Sequence, residues 1–218
     1  MRFFSPSVPL FLIFFITFGV GCSDTPAKRD FLDPYKLSDQ EKALLKPGDI
    51  IMRRGYGFVS NTIVNTLRED LPVSHAGIII KDSKERLRVI HSVSQTISDF
   101  DGVQEVDIDT FIRDSQPNTI VVVRYLDSID NFRDMEKISH RTLHYLEQKI
   151  PFDYSFNLED STRFFCTEFI GRVYSDIFGR GLFDKLFPAG LSGLDKLKFG
   201  VFLQPELFEV IINHHEDN

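Results

Sequence analysis

Two cysteines and six histidines offer most of the nucleophilic and acid–base chemistry available to this 218-residue chain. Cys166 lies in the run FFCTEF, where an amphipathic helix is predicted to begin, with Ser161 or Thr162 as its N-cap. The unpaired amides in a first helical turn favour a thiolate, and the amide after the cysteine can help to bind an oxyanion. A free cysteine among aromatic residues is also commonly a small buried hydrophobe. Two roles therefore remain open for Cys166: a catalytic nucleophile or a buried core side chain.

The histidines divide into two that lie in apolar runs and four that do not. His75 and His91 fall within runs that predict neighbouring strands of a hairpin, so the two rings can lie side by side. A hydrogen bond between them would fix the tautomer of His75, whereas a lone histidine there would more often be a core residue. The other four lie on a predicted helix face and in the polar tail: His140, His144, His214 and His215. The two on the helix face have no evident third metal ligand, so a solvated face is favoured over a metal site.

The elements that must position these side chains form a cluster of strands with helices at both ends. Strands are predicted at 50–52, 73–80, 87–93, 103–108, 119–125 and 199–203. Helices are predicted at 38–45, around 63–67, at 130–148 and at 164–178. This arrangement predicts an α+β fold with a mainly antiparallel sheet rather than repeated βαβ units. No glycine-rich phosphate loop follows a strand.

The N-terminus has the pattern of an export signal. Arg2 precedes an apolar run at 10–20, which is too short to span a membrane comfortably but fits a secretory signal. Small residues before Cys22 resemble a bacterial lipoprotein signal, in which the cysteine is acylated after cleavage. Gly19 replaces the usual leucine, so a plain signal peptide is the alternative. The predicted organisation is a signal peptide at 1–21, a tether at 22–37 and one domain at 38–218, exported and held at a membrane of the cell envelope by lipid on Cys22.

The balance of acidic and basic residues indicates which kinds of partner the protein can bind. Acidic residues exceed basic ones, 32 against 25, and the formal net charge is −7. A general nucleic-acid binder would carry a basic face, so nucleic acid is not expected as a partner.

Five short motifs occur in a characteristic order: GDII at 48–51, SHAGI at 74–78, VIH at 89–91, FDY at 152–154 and FCTEF at 165–169. Together they resemble the permuted papain-like hydrolases of the YiiX/YaeF group, relatives of NlpC-type cell-wall peptidases and of lecithin retinol acyltransferase. The resemblance extends over about residues 46–178. It implies a permuted papain-like fold in which the histidine strand precedes the cysteine helix. Chain order does not affect the chemistry, because a triad is defined by geometry.

The resemblance also implies roles for individual residues. Cys166 matches the nucleophile, His75 the general base, and His91 the third, orienting position. Many YiiX-like sequences have an acid at that third position, whereas the acyltransferase branch has histidine. Tyr154 matches a position that lines the substrate pocket or donates to an oxyanion. For two further matching acids a structural role is favoured: Asp49 and Glu168.

The reaction implied is attack of the Cys166 thiolate on an acyl carbon, giving a thioester that water or another acceptor releases. It requires neither a metal nor an organic cofactor. The leading hypothesis is an exported amidase or peptidase that acts on peptide, peptidoglycan or acyl-amide substrates. The alternatives are a thioesterase or acyltransferase for lipid-like substrates, and a non-catalytic envelope lipoprotein that only binds. The segments at 53–57 and 178–188 are expected either to frame an apolar cleft or to close the core.

Overall fold

A single antiparallel sheet of six strands organises the protein. The computed structural model describes residues 35–128, 132–191 and 193–215. The strands are β1 (Ile50–Arg53), β2 (His75–Lys81), β3 (Leu87–Val93), β4 (Gly102–Asp107), β5 (Val121–Tyr125) and β6 (Phe208–Asn213). They are arranged in the order β4-β3-β2-β1-β5-β6, and every neighbouring pair is antiparallel. The prediction of an α+β fold with a mainly antiparallel sheet is confirmed.

Helices pack on this sheet and precede or follow its strands. They are α1 (Asp39–Leu44), α2 (Gly57–Leu67), α3 (Ile108–Arg113), α4 (Phe132–Glu147), α5 (Cys166–Phe178) and α6 (Arg180–Leu186). α1 has the capping box expected from its sequence, formed by Ser38 and Glu41. α5 ends at Gly179, as predicted. Within the described ranges, every helix is too short or too polar to cross a bilayer.

The C-terminal region differs from the prediction. Residues 199–203 were expected to form the last strand, but Gly200–Leu203 is a 3₁₀ helix and the last strand is β6. The physical reason is the carboxylate of Glu69, which accepts the backbone amides of Phe199 at 2.9 Å and Gly200 at 2.6 Å. These contacts hold the segment in a turn and take amides that a strand would use. Local apolar content could not reveal a partner 130 residues away in the chain.

The sheet has an apolar layer on each face, and the two layers contain alternate residues of the strands. Ile78 and Ile80 belong to the larger layer, which includes α5 and α6, whereas Ile79 and Val89 belong to the layer around Phe111 of α3. This separation follows from the two-residue period of a strand. It places α5 on one face of the sheet and α3 on the other.

Residues 178–188 contribute to closing the core. Leu182, Phe183 and Leu186 of α6 are buried in the larger layer. Gly171 of α5 permits this packing, because a Cβ at that position would lie 2.4 Å from Cε2 of Phe187. Core closure, one of the two expectations for this segment, is therefore observed for its apolar side chains.

The predicted N-terminal organisation lies mostly outside the described residues, including the signal peptide and Cys22. The described end of the tether contacts the domain. Leu37 is buried in the layer around Phe111, and Tyr35 packs against the same layer.

A close approach of β2 and β3 depends on Gly77. A Cβ at Gly77 would lie 2.6 Å from Cγ1 of Val89 and 2.9 Å from the carbonyl oxygen of Ile90. We expect Gly77→Ala to lower the free energy of unfolding by about 1–3 kcal/mol, because the strands must separate to admit the methyl group. Urea denaturation would measure this change.

Gly181→Ala is the matched control, since nothing lies within 4 Å of a Cβ at that position in α6. It should leave stability unchanged or raise it slightly, because alanine favours a helix over glycine. Equal effects of the two substitutions would contradict the steric explanation.

Candidate active site

Two histidine rings meet at one end of the β2–β3 pair. His75 is the first residue of β2. His91 lies on β3, directly after Ile90, the residue that pairs with Ile78 of β2. Nε2 of His75 and Nδ1 of His91 are 2.7 Å apart, so the hydrogen bond predicted between these two side chains is present. Gly77 contributes to this geometry, because its missing side chain lets β3 approach at His91. His91 is buried, whereas His75 keeps part of its surface accessible.

The start of α5, which carries Cys166, lies against the residues that follow the two histidines in the strands. The backbone amide of Ala76, which follows His75, acts on the Cys166 thiol as a hydrogen-bond donor. The hydroxyl of Ser92, which follows His91, donates to the carbonyl oxygen of Phe164 at 2.5 Å. These contacts join the start of α5 to β2 and β3 at the residues that directly follow the two histidines.

The start of α5 lacks the cap that the sequence suggested. Its N-cap is Phe165, which makes no side-chain capping bond, so the prediction of Ser161 or Thr162 was wrong. Phe165 is buried, and so is the preceding Phe164, whose carbonyl is held by β3; these contacts fix where the helix begins. The backbone amides in the first turn of α5, near the Cys166 thiol, therefore receive no capping bond from the N-cap side chain.

The electrostatics of the site favour neutral groups at rest. Burial raises the pKa of the Cys166 thiol to about 11, although the amides of Ala76, Thr167 and Cys166 itself oppose this rise. Burial, the neighbouring His91 ring and the charge of Arg53 lower the pKa of His75 well below its usual range. Burial and Arg53 likewise lower the pKa of His91 to about 3. Near neutral pH the group therefore consists of a thiol and two uncharged imidazoles.

Sequence reasoning missed Arg53 and Phe111 as parts of this site. Arg53 ends β1 and lies opposite His75 in the β1–β2 register. The ring of Phe111 lies 5.8 Å from the His75 ring and 5.7 Å from the His91 ring, between centroids. A charged residue directly after the buried run Ile50–Met52 was a usable signal for Arg53, whereas Phe111 lies on a helix that was not predicted.

Tyr154 lies at the protein surface. Its side chain is 52% exposed, and its hydroxyl donates to Oδ1 of Asp101 at 2.6 Å and accepts from the amide of Gln95 at 3.1 Å. These bonds tie Tyr154 to the loop after β3. The hydroxyl proton is used on Asp101, so donation to an oxyanion would require that bond to break. Lining of a substrate pocket stays a prediction.

Two acids for which a structural role was favoured are buried in ion pairs. Both carboxylate oxygens of Asp49 accept from Arg124, at 2.7 and 2.8 Å, which joins β1 to β5. Glu168, in the first turn of α5, pairs with Arg172 at 2.9 Å. Burial raises the pKa of Glu168 to about 8, against the opposing effect of Arg172. Neither acid forms a hydrogen bond with either histidine among the described residues.

The remaining histidines lie elsewhere. His140 is exposed on α4, and His144 is partly exposed one turn later. His214 bonds to Tyr35 and Glu41, so the polar tail packs against the start of the domain. In the part of the chain that the structure describes, three or more histidine, cysteine or acidic side chains are nowhere grouped as a metal site would require.

Comparison with known proteins places the chain in a family. Residues 44–182 match the family described as permuted papain-like amidase enzyme, YaeF/YiiX, C92. No curated protein sequence matches the chain significantly. Among solved structures, the chain is similar to the metalloprotein YiiX from Escherichia coli O157:H7, with a TM-score of 0.51 and 22% identity over 77% of this chain and 88% of that one.

The matched range is well over half of the chain and contains Cys166, His75 and His91. The protein therefore belongs to the permuted papain-like amidase family, a family of amide-hydrolysing enzymes. The structural similarity to YiiX supports the same fold. The suspected resemblance and the permuted papain-like fold are thereby confirmed.

Proposed function

We propose that this protein is a cysteine amidase of the bacterial cell envelope, in which Cys166 is the nucleophile and His75 the general base. The observation that carries the proposal is the His75–His91 hydrogen bond of 2.7 Å, together with a thiol on which the amide of the next strand residue, Ala76, acts. A nucleophile, a base and a group that orients the base are the three parts that such a hydrolase requires.

The hydrogen bond between the two histidines determines which nitrogen of His75 donates and which can act as the base. When Nε2 of His75 donates to Nδ1 of His91, the Nδ1 atom of His75 carries a lone pair and can accept the thiol proton. The raised pKa of the Cys166 thiol and the lowered pKa of His75 favour this general-base route over a resting ion pair. The proton moves as the sulfur attacks, so the charged pair exists only while the reaction proceeds.

The reaction then proceeds through a thioester. The sulfur attacks the carbonyl carbon of the amide, and the proton held by His75 passes to the leaving amine as the C–N bond breaks. Water, deprotonated by His75, attacks the thioester carbonyl and releases the acid and the thiol. The amides of Cys166 and Thr167 at the start of α5 are suited to stabilise the oxyanion in both steps.

The envelope location rests on the N-terminal sequence. The apolar run at 10–20 and the small residues before Cys22 favour export and lipid attachment, with a polar tether between the anchor and the domain. Replacing Cys22 with serine is expected to move the protein from the membrane fraction to the soluble exported fraction. Membrane association unchanged by this substitution would count against lipidation.

The role of His91 can be tested by two substitutions of different chemistry. His91→Phe fills the space beside Phe111 but removes the acceptor for His75, so we expect the rate of amide hydrolysis to fall about 100-fold. His91→Gln retains a side-chain oxygen that can accept the same proton and should keep more of the activity. Equal losses in the two variants would show that orientation of His75 through this bond is not what His91 contributes.

Exposed apolar side chains next to the site favour a second candidate, a thioesterase or acyltransferase for lipid-like substrates. Phe58 is 85% exposed at the start of α2, and this end of the helix is tied to the histidine strand by the hydrogen bond between the hydroxyls of Ser60 and Ser74, 2.6 Å apart. Ser74 directly precedes His75. A large exposed apolar side chain at such a position suits an acyl chain.

The loop after β3 carries a second exposed phenylalanine, which is anchored to the residue opposite His91. Phe100 is 72% exposed, and its carbonyl accepts from the side chain of Gln104 at 3.0 Å. Gln104 lies opposite His91 in the β3–β4 register. Both histidines therefore have an exposed phenylalanine on a segment anchored beside them.

A thiol-reactive activity probe tests the function and separates the candidates. Labelling that occurs on the Cys166 peptide and is lost in His75→Ala supports a catalytic thiol. Protection by peptidoglycan fragments would favour the peptidase reading, and protection by long-chain N-acyl amides or acyl thioesters the lipid-like one. A Cys166 thiol that reacts no faster than a cysteine in the denatured protein would contradict both enzymatic functions and favour a binding lipoprotein.

A further inference from the structure

A guanidinium group lies within the same aromatic cluster as the two histidines. Nη1 of Arg53 donates to the carbonyl oxygen of Phe111 at 2.8 Å, and its Cζ lies 4.3 Å from the centre of the Phe111 ring. The same ring contacts both His75 and His91. Arg53 is also the register partner of His75 across the β1–β2 pair. One phenyl ring thus brings a permanent cation and two imidazoles together.

The charge of Arg53 is weakly compensated. Its Nε atom is buried and has no hydrogen-bond partner among the described residues. The carboxylate that acts on Arg53 is Asp114, which is itself 44% exposed and lies 3.6 Å from Arg113. Burial lowers the pKa of Arg53 to about 10, so the group remains protonated at neutral pH. A partly buried cation with so little compensation is costly for folding, which calls for a function.

We propose that Arg53 is a positioning residue of the active site, whose charge keeps His75 and His91 as uncharged imidazoles. The inference rests on the proposed function, in which His75 must hold a free lone pair to take the thiol proton. A proton on Nδ1 of His75 would remove that lone pair, and one on Nδ1 of His91 would remove the acceptor of the hydrogen bond. Repulsion by a nearby cation opposes both events.

Among the described groups that surround His75 and His91, Arg53 is the one that opposes their protonation by its charge. From β1 the charged neighbour is Arg53 itself, and no group of α5 acts electrostatically on either ring among the described residues. α3 presents Phe111, and β4 presents Gln104 opposite His91; both are uncharged. Among the described residues, Arg53 is the permanent charge that acts on both rings, after burial itself and, for His75, the adjacent His91 ring.

The test is the pH dependence of Cys166 alkylation by iodoacetamide between pH 2 and 9, with NMR titration of the histidine rings as a direct readout. In Arg53→Gln the imidazoles are easier to protonate, so the acid limb of the reactivity profile should move up by about one pH unit. Arg53→Lys keeps the charge and should hold the limb near its original position. A folded Arg53→Gln protein with an unmoved limb, or an equal shift in Arg53→Lys, would overturn the inference.

Arg54→Gln provides a matched control. It removes the same charge one residue along the chain, from a side chain that bonds to Asn61 and acts on His215 instead. Its acid limb should match that of the unmodified protein. A shift as large as that of Arg53→Gln would show that any loss of positive charge has the effect, and would overturn the specific role of Arg53.

Asp114→Asn keeps the inference testable if Arg53→Gln does not fold. Asp114 is half-exposed, and its removal strengthens the field of Arg53 at the histidines, so the limb should move to lower pH. An upward or absent shift would contradict the inference. Failure of the proposed function would look different, since Cys166 alkylation would then show no dependence on His75 in any variant.

Discussion

Replacing Cys166 with alanine is expected to abolish amide hydrolysis, with a fall in rate of at least about 10⁴-fold. The loss is large because the sulfur forms the thioester, and water alone cannot use the remaining groups as efficiently. The start of α5 should survive the change, since it is held by buried Phe164 and Phe165 and by the bond from Ser92. Turnover of whichever substrate protects the thiol would measure the effect.

Two comparisons make this result specific. His75→Ala should lower the same rate by about 10²–10⁴-fold, because the thiol then lacks its base. His140→Ala removes an exposed histidine from α4 and should leave the rate unchanged. Mass spectrometry of a substrate-treated sample should find the acyl group of the substrate on the peptide that contains Cys166. Residual hydrolysis in Cys166→Ala equal to that of the unmodified protein would refute a cysteine mechanism.

The second large effect concerns the stability of the sheet. Asp49→Ala is expected to reduce the free energy of unfolding by about 3–5 kcal/mol, because it leaves Arg124 as a buried charge without its carboxylate. The pair joins β1 to β5 through two hydrogen bonds, and Asp49 also accepts the amide of Lys46 at 2.7 Å. Chemical denaturation followed by circular dichroism would measure the change.

An exposed pair of the same chemistry provides the control. Asp184 and Arg180 lie one turn apart on α6, 3.8 Å from each other, and both side chains are mostly exposed. Asp184→Ala should change the stability by less than about 1 kcal/mol, since water screens such a pair and compensates for its loss. A similar cost for the two substitutions would mean that burial does not govern the contribution of Asp49.

How far the fold could be predicted from the sequence depended on the range of the interactions that define each element. Strands such as β2 and β3 are apolar runs bounded by turn residues, and α1 carries its own capping box, so local patterns were sufficient. α3 and α6 are short helices, and their apolar residues are explained by the core they enter. The 3₁₀ helix at Gly200–Leu203 depends on Glu69, which no local pattern identifies.

The candidate site divides in the same way. Cys166, His75 and His91 could be selected from residue type, predicted element and motif order, and the histidine hydrogen bond followed from the expected hairpin. The start of α5 was predicted to within two residues, but its cap was misjudged, because the helix begins where burial and a bond from a serine 72 residues earlier hold the chain. Arg53 was taken for part of a loop, since its relation to Phe111, 58 residues later, exists only in the folded chain.

By itself the sequence determined the antiparallel α+β class, the order of the chemical residues along the chain and the family to which that order belongs. These properties depend on periodicity and residue identity, which are written along the chain. Tertiary structure alone decided that Ala76 and Ser92, which follow the two histidines, contact the start of α5, and that a partly buried guanidinium shares the aromatic neighbour of the histidines. It also decided the charge state of the site, because the pKa of a thiol or an imidazole depends on the water and charges that folding removes or brings near.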